Sequence, residues 1–372
     1  MNGMKVGLIG CGNISAIYFE AGKKFAALDI VACADLDLER ARQRAEAFHI
    51  PKACSVQELL EDSTIDLVLN LTIPKAHVEI ALAALEAGKH VYGEKPLAVS
   101  REDGKRILEL AEKKGLYVGN APDTFLGSGL QTSRKLIDEG WIGKPVAATA
   151  FMMSPGHERW HPDPEFFYQE GGGPMFDMGP YYLTALISLL GPVARVTAST
   201  HITYPERTII SEPKKGQKIK VEVPTHISGV LDFDSGAVGT IVTSFDVWHH
   251  DMPFIEIYGS EGTLRVPDPN TFGGPVLLRR HDTPEWLEVP LIQGFTENSR
   301  GLGLVDMIYA IQQEQEHRAN GRLAYHVLDI MHGFHEASKN GAHYTLTSQC
   351  KRPDVLPVGI NQTNLEVLLG SR

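Results

Sequence analysis

The sequence predicts an α/β domain with a parallel sheet, followed by an α+β domain with a large, mainly antiparallel open sheet. Three observations predict it. Up to about residue 122, short apolar runs alternate with helical stretches of about 10–15 residues. Beyond that point, longer runs with period-two alternation and turn signals take over. A glycine-rich turn joins the first apolar run to the first helical stretch.

Lys5 to Ile9 is a short apolar run closed by glycines, as a buried parallel strand requires. Ile14 to Phe25 reads as a helix with Ile14, Ile17, Tyr18 and Ala21 on one face. Ile30 to Ala34 is a second strand ending at Asp35, and Leu38 to Phe48 is helical. Asp66 to Leu71 is a third strand, followed by a helix from His77 to Ala87 that Gly88 stops. His90 to Tyr92 is a fourth strand and leads into Glu94-Lys95-Pro96. Ser100 opens the next helix, with Asp103 as a weak variant of the capping box, and Gly115 closes it. Leu116 to Val118 is a fifth strand.

In the second half, a helix from Ser128 to Glu139 ends at Gly140. Val146 to Met153, Val193 to Thr203, Ile227 to Phe233, Ala237 to Phe245, Phe254 to Gly259 and Val276 to Arg280 read as strands. Pro213 to Lys220 reads as an exposed hairpin loop, and two late helices fall near Gly303 to Arg318 and Ala324 to Asn340. With 372 residues and roughly 150 per domain, two domains are expected, residues 1–122 and 123–372.

Lys and Arg number 35 against 46 Asp and Glu, a formal charge of −11, which argues against a nucleic-acid partner held through phosphates. Four cysteines, at 11, 33, 54 and 350, form no C-x-x-C pair and no disulfide framework, so reduced thiols in a cytoplasmic protein are expected. No signal peptide is expected in MNGMKVGLIGCGNIS, and no run reaches the ~18 apolar residues of a membrane span.

Gly10-Cys11-Gly12-Asn13-Ile14-Ser15 matches G-x-G-x-x-G except at its last position. It stands where a dinucleotide fingerprint must stand, after a strand and opening a helix, which makes the first domain Rossmann-type. Gly10 permits the tight turn. Gly12 lets the backbone approach a pyrophosphate lying on the helix N-terminus, with Asn13 and Ile14 beside it. Asp35, at the end of the second strand, is placed to accept the adenosine ribose hydroxyls and to repel a 2′-phosphate. NAD is therefore expected, with Arg40 leaving NADP open. Thr72, Pro74 and His77 follow the third strand and Glu94 and Lys95 the fourth, so both groups face the ligand crevice at the strand ends.

The strings T-I-P-K-A-H, A-L-E-A-G-K-H-V-Y-G-E-K-P-L-A and G-G-G-P-M-F-D-M-G-P-Y, together with the glycine turn, resemble the glucose–fructose oxidoreductase/inositol dehydrogenase/MocA family over nearly the whole chain. The resemblance implies a catalytic role for Lys95, the lysine of E-K-P, and a cis Lys95–Pro96 bond. A lysine at a dry site beside a positive nicotinamide has its pKa pushed down, so that it can orient a hydroxyl and share its proton. The family's D-x-G-x-H motif reads Asp177-Met178-Gly179-Pro180-Tyr181 here. Asp177 matches, and Tyr181 replaces the histidine, as it does in some relatives. On one continuous helix the two would share a face. The departure leaves open whether Lys95 or Tyr181 moves the proton.

Trp160, His161 and Trp248 are the expected walls of a sugar or polyol pocket, where a ring can stack and polar groups can bond hydroxyls. A metal site at His157 and His161 lacks a third ligand, so no metal is expected. The implied function is an NAD(P)-dependent dehydrogenase acting on a sugar, inositol-like polyol or glycoside hydroxyl. An NAD-retaining redox glycosidase and an NAD-sensing regulator are the alternatives. The family commonly associates through the open face of the second-domain sheet, so a homodimer or homotetramer is implied.

Overall fold

The computed structural model describes residues 3–370. Contacts divide the chain into two units. One runs to Leu126 and also takes Gln293–Tyr325 and the segment from Leu356 on; the other comprises Gly127–Ile292 and His326–Val355.

In the first unit six strands form one sheet in which every pairing is parallel. They are β1 (Met4–Ile9), β2 (Leu28–Ala34), β3 (Lys52–Cys54), β4 (Leu67–Asn70), β5 (His90–Gly93) and β6 (Val118–Asn120), in the spatial order β3-β2-β1-β4-β5-β6. That order reverses between β1 and β4, which marks their carboxyl ends as the ligand crevice. The crossover helices are α1 (Ser15–Lys24), α2 (Leu38–Phe48), α3 (Val56–Glu61), α4 (His77–Glu86) and α5 (Arg101–Lys114). The start and stop signals read from the sequence are visible as caps. Ser100 accepts the N–H of Asp103, and Gly115 closes α5 in the left-handed region. Asp37, not singled out from the sequence, accepts the N–H groups of Glu39 and Arg40 to open α2.

Two details differ from the sequence expectation. The buried face of α1 carries Ser15, Tyr18, Phe19 and Ala21, with Ile14 and Ile17 left half-buried. β3 and α3 were not anticipated, because three and six residues are too short to show a period, although Ser55 and Glu58 complete a full capping box.

The late part of the first unit closes the β6 edge. Asn120 donates its N–H to the carbonyl of Ala319, and Gly119 bridges Asn320. A Cβ on Gly119 would meet Tyr92 and the sulfur of Met307 at 2.5–2.7 Å, so glycine is the residue that lets this contact form. An edge strand left bare would expose a row of unpaired backbone groups.

The second unit is built on a nine-stranded sheet with a two-stranded hairpin beside it. β7 is Pro145–Met153, β8 Val193–His201, and β9 (Glu206–Thr208) with β10 (Lys218–Lys220) forms a separate hairpin. β11 (His226–Phe233), β12 (Val238–Ser244), β13 (Ile255–Gly259), β14 (Gly262–Val266), β15 (Val276–Arg280), β16 (Leu287–Val289) and β17 (Tyr344–Thr345) complete the set. The large sheet runs β16-β15-β14-β13-β7-β12-β11-β8-β17. It is antiparallel except where β12 pairs with β7, as a mainly antiparallel sheet. Alternation buries Ala148, Ala150, Ile227, Leu231 and Ile241 on one face, against helices α6 (Ser128–Asp138), α7 (Gly173–Asp177) and α8 (Gly179–Leu190). Thr149, Phe151, Val230 and Val242 alternate with them and remain half-exposed. The Pro213 to Lys220 stretch lies in the β9–β10 hairpin, where Lys214 pairs with Asp163 at 2.9 Å and Glu165 at 2.6 Å.

One expectation is corrected. Asp177 and Tyr181 are not on one continuous helix: α7 ends at Asp177, Met178 intervenes with φ −108°, and α8 begins at Gly179. Pro180 has no N–H to continue the ladder, so a fresh first turn starts, with Tyr181 donating its N–H to the carbonyl of Met178 at 3.0 Å.

Candidate active site

The glycine turn is built by the meeting of β1 and β4. Gly10 has φ +103°, and a Cβ on it would lie 2.6 Å from the Leu71 carbonyl group. Only glycine satisfies both conditions. At Gly12, by contrast, a Cβ would meet nothing within 4 Å, so its outer side is the cradle into which a ligand backbone approach is possible. Ser15, fully buried, donates its hydroxyl to the Gly12 carbonyl at 2.6 Å and fills the small-residue position of the fingerprint. No side chain caps the N-terminus of α1. Its first N–H groups and the positive end of its dipole therefore suit a pyrophosphate.

Asp35 is tied into the same turn. Its Oδ2 accepts the N–H of Cys11 at 2.8 Å and its Oδ1 the N–H of Asp37 at 2.9 Å. The Arg40 guanidinium stands 3.6 Å from Oδ1, and Arg44 donates to the carbonyls of Cys11 and Gly12 at 3.4 and 3.3 Å. The carboxylate is thus held at one end of the turn with a cation on its flank. These residues fit a dinucleotide: a helix N-terminus without a side-chain cap, an open glycine, and a carboxylate after β2 bonded to the turn.

At the ends of β4 and β5, buried Asn70 donates to the His77 carbonyl at 2.9 Å and accepts the hydroxyl of Thr72 at 2.7 Å. The imidazole of His77 is buried and faces two carbonyl oxygens, Pro96 at 2.7 Å from Nδ1 and Thr72 at 2.9 Å from Nε2. Burial pushes its pKa down, opposed by those two carbonyls. His77 therefore joins the loop after β4 to the loop carrying Lys95. Pro74 opens a short helical turn that leads into α4.

Lys95 and Glu94 are half-buried, and Lys95–Pro96 is cis. Glu94 accepts the Tyr18 hydroxyl at 2.9 Å and the Lys95 N–H at 3.1 Å, and Asn120 donates to the carbonyls of Gly93 and Glu94 at 3.0 Å each. The lysine is thus presented by a loop whose backbone is fixed on both sides.

In the second unit Asp177 and His157 form a pair not anticipated from the sequence, with Nε2 and Oδ2 3.1 Å apart and both side chains mostly buried. The imidazole lies among Phe167, Phe245 and Trp160, at ring distances of 4.0, 4.6 and 5.2 Å. The turn bearing it is anchored by a buried ionic chain. Tyr168 donates to Glu158; Glu158 pairs with Arg207 at 2.7 Å; and Arg207 pairs with Asp246, which also accepts the hydroxyls of Thr203 and Thr225 at 2.7 Å each. Tyr181 is half-buried at the start of α8.

The expected pocket walls are placed unevenly. Trp160 and Trp248 are 65% and 62% exposed, and the Arg159 guanidinium lies 4.3 Å over the Trp248 ring. His161 is half-buried, edge-on to Trp160 at 5.3 Å, and its Nδ1 accepts the Asp163 N–H. The structure brings His161 and Trp160 together with His157. Phe176 carries the His332 and His335 rings against it at 5.0 and 5.9 Å, and the sequence reading had not singled these out. Among the described residues no group of three or more His, Cys, Asp or Glu side chains could hold a metal ion, and no helix is long and apolar enough to cross a membrane.

Residues 4–121 match a family model described as an oxidoreductase family with an NAD-binding Rossmann fold, and residues 130–265 match a GFO/IDH/MocA C-terminal domain. The chain is 26% identical over 262 residues to a myo-inositol 2-dehydrogenase of Thermotoga maritima, covering 70% of this chain and 74% of the relative. It is 30% identical over 268 residues to a dTDP-3,4-didehydro-2,6-dideoxy-alpha-D-glucose 3-reductase of Saccharopolyspora spinosa, covering 71% and 74%. Its fold is similar to that of an NAD-binding oxidoreductase from Klebsiella pneumoniae, with a TM-score of 0.79 at 22% identity over 94% of this chain and all of the other.

Proposed function

The chain belongs to the GFO/IDH/MocA oxidoreductase family, and from that premise we propose that it oxidises a ring hydroxyl of a sugar, an inositol-like polyol or a glycoside with NAD. The observation that carries the reading is the turn in which Gly12 stands open while Asp35 is bonded to Cys11. Gly10, Gly12, Asn13 and Ile14 would hold the pyrophosphate, and Asp35 the adenosine ribose. Thr72, Pro74 and Glu94 would line the nicotinamide end of the crevice, and His77 would act there by fixing their loops. Bound NAD supplies the hydride acceptor.

Lys95 takes the hydroxyl proton in this reading, and Asp177 and Tyr181 bond and orient the same alcohol. Tyr181 can donate to a carbonyl oxygen in the reverse direction. Trp160, His161 and Trp248 contact the remainder of the sugar. The half-exposed sheet face bearing Phe151, Val230 and Val242 supports association into a homodimer or homotetramer. The four free cysteines support a reducing, cytoplasmic setting.

The test is a panel of monosaccharides, inositols and glycosides with NAD and with NADP, followed by absorbance of the reduced cofactor. Reduction of NAD by at least one panel alcohol, abolished in Lys95→Ala with NAD binding retained, is the expected result. A chain that binds neither cofactor and oxidises nothing on the panel overturns the proposal.

A further inference from the structure

We propose that His157 is a positioning residue for Asp177, supplying from the loop after β7 the imidazole that the motif lacks at position 181. The inference rests on the reading of Asp177 given above. Two groups of observations support it. The Nε2 of His157 lies 3.1 Å from Oδ2 of Asp177, with the two side chains 12% and 14% exposed. The Nδ1 of the same ring is buried with no hydrogen-bond partner. In the neutral ring the proton therefore belongs on Nε2, since a buried N–H without an acceptor costs more than a bare lone pair. Nε2 then donates to the carboxylate, and the bond fixes the rotamer of Asp177 at the end of α7, where the helix has already broken.

The remaining observations concern what holds His157. Phe167 and Phe245 pack against its ring at 4.0 and 4.6 Å, which leaves the imidazole little freedom to rotate away. The backbone N–H of His157 donates to the Tyr168 hydroxyl at 3.1 Å, which in turn donates to Glu158. Gly156, just before it, has φ +97°, and a Cβ there would lie 2.4–2.7 Å from Glu158, Tyr168 and Arg207. The turn is thus clamped onto the Glu158–Arg207–Asp246 chain, and His157 on it pairs with Asp177. A charged carboxylate held in a single orientation can bond the same hydroxyl in the ground state and the transition state without reorganising.

Three variants of the full chain test this. His157→Phe keeps the aromatic packing and removes the donor; His157→Gln keeps a donor near the Nε2 position; Asp177→Asn removes the charge. With NAD and the panel alcohol of highest kcat/KM, His157→Phe is expected to lower kcat by about 10- to 100-fold, the range for losing a hydrogen bond to a charged group, with little change in KM. His157→Gln should recover most of that loss, and NADH binding should be unchanged in both. Independently of any substrate, 15N-labelled parent protein should show an exchange-protected imidazole Nε2–H that His157→Phe removes and that Asp177→Asn, which keeps an acceptor oxygen but loses the charge, leaves faster to exchange. Parent kcat in His157→Phe beside an inactive Asp177→Asn overturns the inference and leaves the role of Asp177 standing. Full turnover in Asp177→Asn overturns both. Absence of the protected proton in the parent overturns the inference alone.

Discussion

The carboxylate of Asp35 accepts the backbone N–H of Cys11 at 2.8 Å, so the acid at the end of β2 and the glycine turn at the end of β1 form one unit. The bond fixes the turn even before any ligand arrives, and in the proposed cofactor site it sets a negative charge beside the ribose 2′-substituent. Asp35→Ala should therefore weaken NAD binding by about 10-fold or more, on the scale of hydrogen bonds to charged groups, and weaken NADP binding less. Fluorescence titration with NADH and NADPH checks it. Equal losses for the two cofactors would remove the role assigned to Asp35. Arg40→Ala in the Asp35→Ala background should then lower NADPH affinity selectively, because Arg40 is the cation 3.6 Å from the vacated position.

The two glycines of the turn should respond differently to the same substitution. Gly10→Ala forces a side chain into a positive φ and against the Leu71 carbonyl. It is expected to cost about 1–3 kcal/mol or more of stability, read by urea denaturation. Gly12→Ala points its methyl into open space, so the fold should keep its stability while NADH affinity falls. A Gly12→Ala variant with parent affinity would show that no ligand approaches there.

Arg207 joins Glu158 to Asp246 with all three side chains over nine-tenths buried. Removing the cation strands two carboxylates away from water. Arg207→Met is expected to destabilise by about 3–5 kcal/mol, the cost of breaking a buried pair from one side. Chemical denaturation measures it. A loss below about 1 kcal/mol would mean that the network is not holding the 156–161 turn.

Two buried groups should tilt the stability curve in opposite directions. Burial holds the His317 pKa down to about 4, below its ordinary 6.5. The unfolded chain then binds more protons, so this contribution is present above about pH 6.5 and is lost as pH falls towards 4. Burial pushes Asp123 up to about 6 from 3.8, against the N–H groups of Gly301 and Gly303 that it accepts at 2.9 Å each. Here the folded chain binds the extra proton, so stability falls as pH rises from about 4 to 6. His317→Phe should flatten the acid-side loss, and Asp123→Asn should remove the opposite slope. Thermal unfolding across pH 4–7 gives both from difference curves, and unchanged slopes in both variants would refute the assignment.

Much of the cofactor region was legible because its signals are local. Gly10, Ser100 and Gly115 announce their conformations through their own chemistry, and Asp35 is found by its place at the end of an apolar run. The motif at Asp177 was legible too, but its helix was not: Pro180 interrupts the ladder, so spacing of four no longer means a shared face. His77 was expected at the crevice, and the ring contacts that tie it to the carbonyls of Thr72 and Pro96 are not encoded by its neighbours in sequence. His157 had drawn notice only beside His161 as a metal ligand, and nothing in its neighbours announces Asp177.

From the amino-acid order alone came the alternation of strands and helices, the parallel and antiparallel halves, and the residues standing at strand ends. These follow from hydrophobic period and turn chemistry, which act over a few residues. Tertiary structure alone decided which side chains meet. His157 with Asp177, Glu158 with Arg207 and Asp246, and Asp123 with the start of the Leu302–Gln312 helix are pairs brought together by sheet register and packing. Such pairs lie tens of residues apart or more, and no local periodicity encodes a distance of that kind.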